Sequence, residues 1–91
     1  MKTHKLMPMF IRGFFSYLPF TAITVSKNTA WYIDYNALDN QTLRKHEEVH
    51  MEQFERYGWF LFVIKYIYYS IRYGYWDNPF EVEAREKQNS V

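Results

Sequence analysis

The side chains best suited to chemistry in this chain of 91 residues lie close together, at His46, Glu47 and His50. Two imidazoles at positions i and i+4 lie one helical turn apart and can reach a single ion, which zinc binds at about 2.0 to 2.1 Å. A carboxylate beside that ion can take a proton from water whose pKa zinc lowers to about 7, and can deliver it later to a leaving amine. The spacing therefore predicts a zinc site with His46 and His50 as ligands and Glu47 as the general base for amide hydrolysis.

These residues fall on a strongly periodic segment, for which we predict a helix from Asn40 to Tyr57. Asp39 or Asn40 would be its N-cap, and Gly58 lies just past its end. On the helical wheel, His46, Glu47, His50 and Gln53 share the predicted buried side with Leu43, Phe54 and Tyr57. The opposite side carries Arg44, Lys45, Glu48, Glu52, Glu55 and Arg56. Buried imidazoles and carboxylates need a hydrogen-bond or metal partner. The position of the histidines on the buried side therefore favours a metal site over the alternative, in which the motif occurs by chance and the two histidines line a polar pocket.

A catalytic zinc of this type needs a third protein ligand. The chain has no cysteine, and its other histidine, His4, lies in a terminal segment of the kind that is often poorly ordered. The last predicted helix offers Glu81 and Glu83 after Asn78. Glu81 lies nearer the predicted packing edge of that helix, so we expect Glu81 as the ligand and Glu83 as the reserve. The alternative is that Glu81 completes a capping box with Asn78.

The elements that must position these side chains follow from hydrophobic periodicity and turn residues. Thr21 to Val25 and Trp31 to Tyr35 alternate with a period of two, which predicts a β-hairpin with its turn at Ser26 to Thr29. Helices are predicted from Pro8 to Leu18, from Asn40 to Tyr57, from Trp59 to Tyr73 and from Phe80 to about Gln88. The expected fold is a single α+β domain over residues 1–91, with a short hairpin followed by three helices.

The aromatic helix from Trp59 to Tyr73 has two apolar stripes. We expect an aliphatic face to pack on the metal helix, made of Phe60, Val63, Ile64, Ile67 and Ile71. The second stripe consists of Phe62, Tyr66, Tyr69 and Tyr73. Either the N-terminal segment and the hairpin cover this second stripe, or it binds a protein partner or a membrane surface, flanked by Lys65 and Arg72. A tyrosine between Tyr68 and Tyr75 could donate to the oxyanion of a tetrahedral intermediate.

Composition excludes several classes of protein. The chain is 48% hydrophobic and 22% aromatic, which argues against disorder. Its 11 basic and 10 acidic residues are interspersed, so we expect no binding of nucleic acid. The longest uncharged apolar stretch, Gly13 to Ser26, is interrupted by Pro19 and is shorter than the roughly 20 residues of a membrane-spanning helix. With no signal-peptide pattern evident, a cytoplasmic location is expected.

The motif and its downstream partner resemble a known family. The run His46-Glu47-Glu48-Val49-His50, followed by Gln53, Tyr57-Gly58 and the segment from Asn78 to Ala84, resembles the gluzincins. More narrowly, it resembles minimal H-E-x-x-H proteins whose third ligand comes from a downstream E-x-E-A helix, over about half of the chain. The resemblance implies a minimal zincin-like zinc metallopeptidase, an endopeptidase acting on a peptide or protein. It implies one zinc ion held by His46, His50 and Glu81, with Glu47 as the catalytic residue.

The resemblance has two further implications. The predicted hairpin would resemble the edge strand along which zincins bind an extended substrate by backbone pairing. Many relatives also carry an aspartate four residues after the ligand glutamate, to orient a zinc-bound histidine, where this chain has Arg85. That support would have to come from another residue, with Asp34, Asp39 and Asp77 as candidates.

A function of another class remains open from the sequence. The same ligands could stabilise a non-catalytic module that binds a protein or a membrane through the tyrosine-rich helix. The two functions differ in whether Glu47 is needed.

Overall fold

The computed structural model describes residues 2–15 and 21–88, which form a small sheet followed by helices. The elements are β1 (Thr3–Leu6), α1 (Met9–Phe15), β2 (Ala22–Ser26), β3 (Thr29–Tyr32), α2 (Tyr35–Leu38), α3 (Gln41–Tyr57), α4 (Trp59–Asp77) and α5 (Pro79–Gln88). The predicted α+β class, with a hairpin followed by three long helices, is confirmed. The part of the first predicted helix beyond residue 15 lies outside the described residues.

The sheet contains the predicted hairpin and one additional strand. β2 and β3 pair antiparallel around the turn at Lys27 and Asn28, and the strand order is β1-β3-β2. β1 adds to the free side of β3 as a parallel strand. The sequence did not predict β1, because a four-residue, largely polar strand gains its stability from the neighbouring strand rather than from its own pattern.

A polar contact ties β1 to α3. The fully buried Tyr32 has its hydroxyl 2.6 Å from Nδ1 of His4, and Nε2 of His4 lies 2.8 Å from a carboxylate oxygen of Glu48. Burial raises the pKa of Tyr32, so its neutral hydroxyl donates to the imidazole, which in turn donates to Glu48. The expectation that His4 belongs to a poorly ordered terminus is therefore wrong, since this pair of contacts holds it between β3 and α3.

The third strand is shorter than its alternating sequence predicts. β3 ends at Tyr32, and Asp34 caps α2, with its carboxylate accepting a hydrogen bond of 2.8 Å from the backbone N–H of Ala37. The expected extension of the strand to Tyr35 is wrong, because the cap starts a helix where the two-residue pattern would continue.

The boundaries of α3 agree with those predicted from its capping residues. Asn40 is the N-cap, and its side chain accepts from the backbone N–H of Leu43 at 3.1 Å. Gly58 ends the helix with a φ of 82°, a conformation that residues with a Cβ adopt only with strain. The side of α3 that was predicted to be buried does face the interior, since His46, Glu47, His50 and Gln53 are all buried.

The face that α4 turns toward α3 is the opposite of the predicted one. The core contains Phe62, whose ring centroid lies 4.4 Å from that of Phe54 and 4.8 Å from that of Phe80. The expected aliphatic face is largely exposed instead, with Phe60 at 72%, Ile64 at 48%, Ile67 at 53% and Ile71 at 81%. Hydropathy favours aliphatic residues for the core, but the inner side of α4 meets a buried carboxylate that only the tyrosine-bearing stripe can satisfy.

The same observation decides between the two alternatives for the second stripe, which is largely covered, although by α3 and α5 rather than by the N-terminal segment and the hairpin. Phe62 is 4% exposed, and Tyr66 and Tyr69 pack against the cluster of Phe54, Phe62 and Phe80. Tyr73, at the end of that stripe, is 48% exposed. The stripe of Phe62, Tyr66, Tyr69 and Tyr73 is therefore mainly core, and it is not a free surface for a protein or a membrane.

α4 and α5 are joined at a fully buried asparagine. The backbone leaves helical geometry at Gly74, where φ is 82°, so the helix predicted to stop there continues as one short turn after a kink. Nδ2 of Asn78 donates to the backbone oxygen of Tyr66 at 3.1 Å and to Oγ of Ser70 at 3.0 Å. Oδ1 of Asn78 accepts from the backbone N–H of Phe80 at 2.9 Å. Asn78 thereby fixes the start of α5 against the middle of α4.

Two apolar clusters surround the polar residues of α3. One lies between the sheet and the helices and contains Ala30, Tyr32, Ala37 and Met51, and the other contains Phe54, Phe62 and Phe80.

None of the helices in the described part of the chain is long and apolar enough to span a bilayer.

We predict that Asn78→Ala lowers the free energy of unfolding by about 2 kcal/mol, because it leaves buried donors and acceptors without partners. Urea unfolding followed by circular dichroism measures this change. Asn36→Ala, at an exposed position of α2, is the matched control and should change stability by less than about 0.5 kcal/mol. Equal effects of the two substitutions would contradict the assigned role of Asn78.

Candidate metal centre

The candidate site lies where α3 packs against α5. α3 carries His46, Glu47 and His50, which are 9%, 5% and 6% exposed, and α5 carries Glu81, which is 3% exposed. Four ionisable side chains with so little access to water would be costly if they were not paired with each other or with an ion. Their contacts therefore define what the site can do.

Glu81 lies between the two imidazoles. One of its carboxylate oxygens is 2.9 Å from Nε2 of His46, and the other is 3.1 Å from Nε2 of His50. One ligand atom from each of the three residues lies within 4.8 Å of the others, so the group can hold a metal ion. Donor atoms of one tetrahedral zinc ion are about 3.3 Å apart, so small side-chain shifts would accommodate it.

The other ring nitrogens of both histidines are fixed by glutamine side chains. Nδ1 of His46 lies 2.5 Å from Oε1 of Gln88, and Nδ1 of His50 lies 2.8 Å from Oε1 of Gln53. An amide oxygen can only accept, so each Nδ1 carries a proton and donates. In a neutral imidazole this leaves the lone pair on Nε2, which is the nitrogen that faces Glu81. Both rings are thus held in the tautomer and orientation that a metal ligand needs.

Gln53 is the more constrained of the two glutamines. It is fully buried, and its Nε2 donates to the backbone oxygen of Phe80 at 3.0 Å and to a carboxylate oxygen of Glu83 at 2.7 Å. Glu83 also lies 3.5 Å from Arg56 and 3.4 Å from Lys87. Glu83, the reserve ligand, is therefore part of an outer network and not of the group of His46, His50 and Glu81 that could hold a metal ion.

The electrostatics of the group fit a bound cation. Burial raises the pKa of the Glu81 carboxyl, but hydrogen bonds from His46 and His50 outweigh burial and hold the pKa well below its usual range. Burial lowers the pKa of His50, yet the hydrogen bond and the charge of Glu81 raise it overall. Glu81 is therefore a carboxylate that positive charge stabilises, and a divalent cation can supply that charge in place of the imidazole protons.

Glu47 lies beside the group and has a different environment. Its Oε1 is 2.8 Å from the hydroxyl of Thr24, a residue of β2, and its backbone oxygen is 3.1 Å from the same hydroxyl. Burial raises the pKa of Glu47, and the charges of His50 and His46 offset this only in part. A carboxylate whose pKa is raised is a stronger base than an ordinary carboxylate, which suits a group that accepts a proton.

Two tyrosines approach the site from α4. The hydroxyl of Tyr66 donates a short hydrogen bond to the Glu81 oxygen that faces His50. Tyr75 lines the pocket, and burial together with the charges of Glu81 and Glu47 raises the pKa of Tyr75 to about 12. Burial and the charge of Glu81 also raise the pKa of Tyr66, so both hydroxyls keep their protons at neutral pH. Tyr75 is the member of the predicted range, Tyr68 to Tyr75, that lines the pocket.

The expected aspartate support for the histidines is wrong. Asp34 caps α2, Asp39 and Asp77 are exposed, and the glutamines bind the Nδ1 atoms instead. Arg85 donates to the backbone oxygen of Trp76, and its guanidinium lies 3.7 Å from the centroid of the Trp76 ring. An amide oxygen orients an imidazole as a carboxylate does, but it adds no negative charge beside the ligand.

A pocket of about 370 Å³ opens above these side chains. Its floor contains His46, Glu47, His50 and Glu81, and its walls include Ala22, Ile23 and Thr24 of β2 and Val63 and Ile67 of α4. β2 is an edge strand of the sheet. Because the backbone N–H of Ile33 donates to the oxygen of Thr21, residues 22 and 24 direct their backbone groups away from β3. Among residues 2–15 and 21–88, no strand pairs with this edge of β2, which borders the pocket.

The sequence did not predict every residue that supports the site. Thr24 and Gln88 lack a motif, although the two-residue period of the hairpin places Thr24 on the same face as Ala22, which also lines the pocket. Gln53 was placed on the buried side of α3, and one turn separates it from His50. Its contact with Nδ1 was foreseeable from that spacing.

We predict that Gln53→Met weakens zinc binding by about 10 to 100-fold, because His50 loses the acceptor that fixes its ring. The substitution also leaves the backbone oxygen of Phe80 without its donor and should lower the free energy of unfolding by about 1 to 3 kcal/mol. Competition with a chromophoric chelator measures the affinity. Glu52→Met, at an exposed neighbouring position, is the control, and equal affinities of the two variants would contradict the role of Gln53.

Comparison of the chain with protein-family models, with curated proteins and with solved structures gives no match. A proposal for the function of this chain therefore rests on the residues of the site and on their geometry.

Proposed function

We propose that this chain is a zinc-dependent peptidase that hydrolyses an amide bond in a peptide or protein. The observation that carries the proposal is the convergence of His46, His50 and Glu81 on one point, with Nδ1 of each imidazole already bound and Glu47 beside them. Two neutral imidazoles and one carboxylate are the donor set of many catalytic zinc sites, in which a fourth position is left for water.

Zinc held by His46, His50 and Glu81 would polarise a substrate carbonyl and lower the pKa of water to about 7. Glu47 then accepts the proton of the attacking water, which suits the raised pKa of this carboxyl, and returns the proton to the leaving amine. Thr24 holds the Glu47 carboxyl at the pocket wall through its hydroxyl. Tyr75, which keeps its proton at neutral pH, donates to the oxygen on which negative charge develops.

The edge of β2 supports a peptide as the substrate. The backbone groups of residues 22 and 24 can pair with an extended peptide and lay one of its carbonyls over the pocket floor. The apolar walls formed by Val63 and Ile67 favour a nonpolar side chain next to the scissile bond.

The first test is the metal. We predict that purified protein contains one zinc ion per chain and that His46→Ala loses it, because one imidazole and one carboxylate bind zinc weakly. Elemental analysis of both proteins gives the result, and circular dichroism shows whether the variant is folded. Lys45→Ala, at the exposed position before the ligand, is the control. A zinc content unchanged by His46→Ala would exclude the proposed ligand set.

The second test is the general base. We predict that Glu47→Gln keeps the zinc content and the fold but lowers the rate of peptide hydrolysis by at least about 100-fold, because the amide cannot accept a proton. Turnover of casein or of a peptide library measures the rate. If Glu47→Gln and the original chain bind zinc and neither hydrolyses peptides, the non-catalytic, metal-stabilised module becomes the better description.

A further inference from the structure

α4 presents a continuous apolar face to solvent. We define the outer face of α4 as the side chains of Phe60, Leu61, Ile64, Ile67, Tyr68 and Ile71, each between 47% and 81% exposed. At about 100° per residue they span an arc of about 120° on the helix. A stripe of this width normally packs against another surface, and no element among residues 2–15 and 21–88 covers it.

The two positive charges of α4 lie along one edge of this arc. Lys65 and Arg72 are seven positions apart and therefore fall on the same side of the helix, and residues 59–76 contain no acidic side chain. Lys65 lies over the ring of Tyr57 and Arg72 over the ring of Tyr73. Neither cation forms an ion pair with a carboxylate among the residues that the structure describes. The edge is therefore a strip of positive charge along an apolar surface.

The opposite edge of the arc borders the pocket. Ile67 belongs to the outer face and also lines the pocket, together with Val63 one turn before it. Whatever covers the outer face would therefore lie next to the pocket mouth.

We propose that the outer face of α4 binds an anionic lipid surface. An amphipathic helix with an apolar arc and cations along its edge lies in the plane of a membrane, with its apolar side chains inserted at the boundary between headgroups and acyl chains. Lys65 and Arg72 would then meet lipid phosphates, and the tyrosine and tryptophan side chains of α4 suit the interface, where one end of each ring is apolar and the other is hydrated. The pocket mouth would open at the membrane surface.

The charges disfavour a second copy of the chain as the occupant. The midpoint of the outer face lies near Lys65, so in an antiparallel twofold pair centred on this face Lys65 of one copy would lie beside Lys65 of the other, and like charges would repel. In a parallel pair, the cationic edge of each copy would lie against the pocket edge of the other and would obstruct both mouths. An anionic surface has neither conflict.

Sedimentation with lipid vesicles tests the proposal without substrate, so its outcome is separate from that of the peptidase tests. The full chain should bind vesicles made of phosphatidylglycerol and phosphatidylcholine. It should bind vesicles of phosphatidylcholine alone much more weakly. Lys65→Gln with Arg72→Gln should weaken binding by about fivefold for each cation removed. Phe60→Ser with Ile71→Ser, at the two most exposed positions of the face, should weaken it by at least about tenfold.

Met9→Ser with Phe10→Ser is the matched control, because it removes two apolar side chains that are each 82% exposed but belong to α1. Circular dichroism checks that each variant is folded. Equal loss of binding in this control and in Phe60→Ser with Ile71→Ser would overturn the assignment to α4. The proposal would also be overturned if the original chain bound neither kind of vesicle. It would be overturned as well if the original chain bound no vesicles and formed a dimer in analytical ultracentrifugation that Phe60→Ser with Ile71→Ser dissociated.

Discussion

The contact of one carboxylate with two imidazoles organises this protein. Glu81 reaches from α5 to Nε2 of both His46 and His50, and all three side chains are buried. A buried carboxylate is stable only with compensating positive charge or hydrogen bonds, so α5 cannot move away from α3 without exposing an unsatisfied group on each helix. The packing of the C-terminal half of the chain and the candidate metal centre are therefore one feature.

The neighbouring elements can be understood by what they add to that contact. Gln53 and Gln88 fix the orientation of the imidazoles, and Asn78 fixes the position at which α5 starts. Tyr66 completes the hydrogen bonding of Glu81 from α4. Each of these side chains uses a neutral amide or hydroxyl, so the site gains orientation without adding charge to a buried region. The net charge of the centre therefore depends on its own ionisable side chains and on any bound ion.

The contact also explains why α4 has an unusual surface. Its tyrosine-bearing stripe is turned inward because Tyr66 must reach Glu81, and the helix cannot turn its aliphatic residues inward as well. The most hydrophobic side chains of the helix, such as Ile64 and Ile71, are consequently exposed. The hydrogen bond that Glu81 needs from Tyr66 thus leaves an apolar surface on the other side of α4. This is the surface that we propose binds a membrane.

The sequence by itself determined the local features. The i, i+4 spacing of the histidines and the capping residues Asn40 and Gly58 set α3 and its inward phase, because helix geometry depends on residues that are close together in the sequence. Tertiary structure decided the rest, namely which face of α4 is buried, the docking of β1 through His4, and the support of the imidazoles by Gln88 rather than by an aspartate. These features depend on groups distant in the sequence that must satisfy one another's hydrogen bonds and charges, and periodicity along one segment carries no information about them.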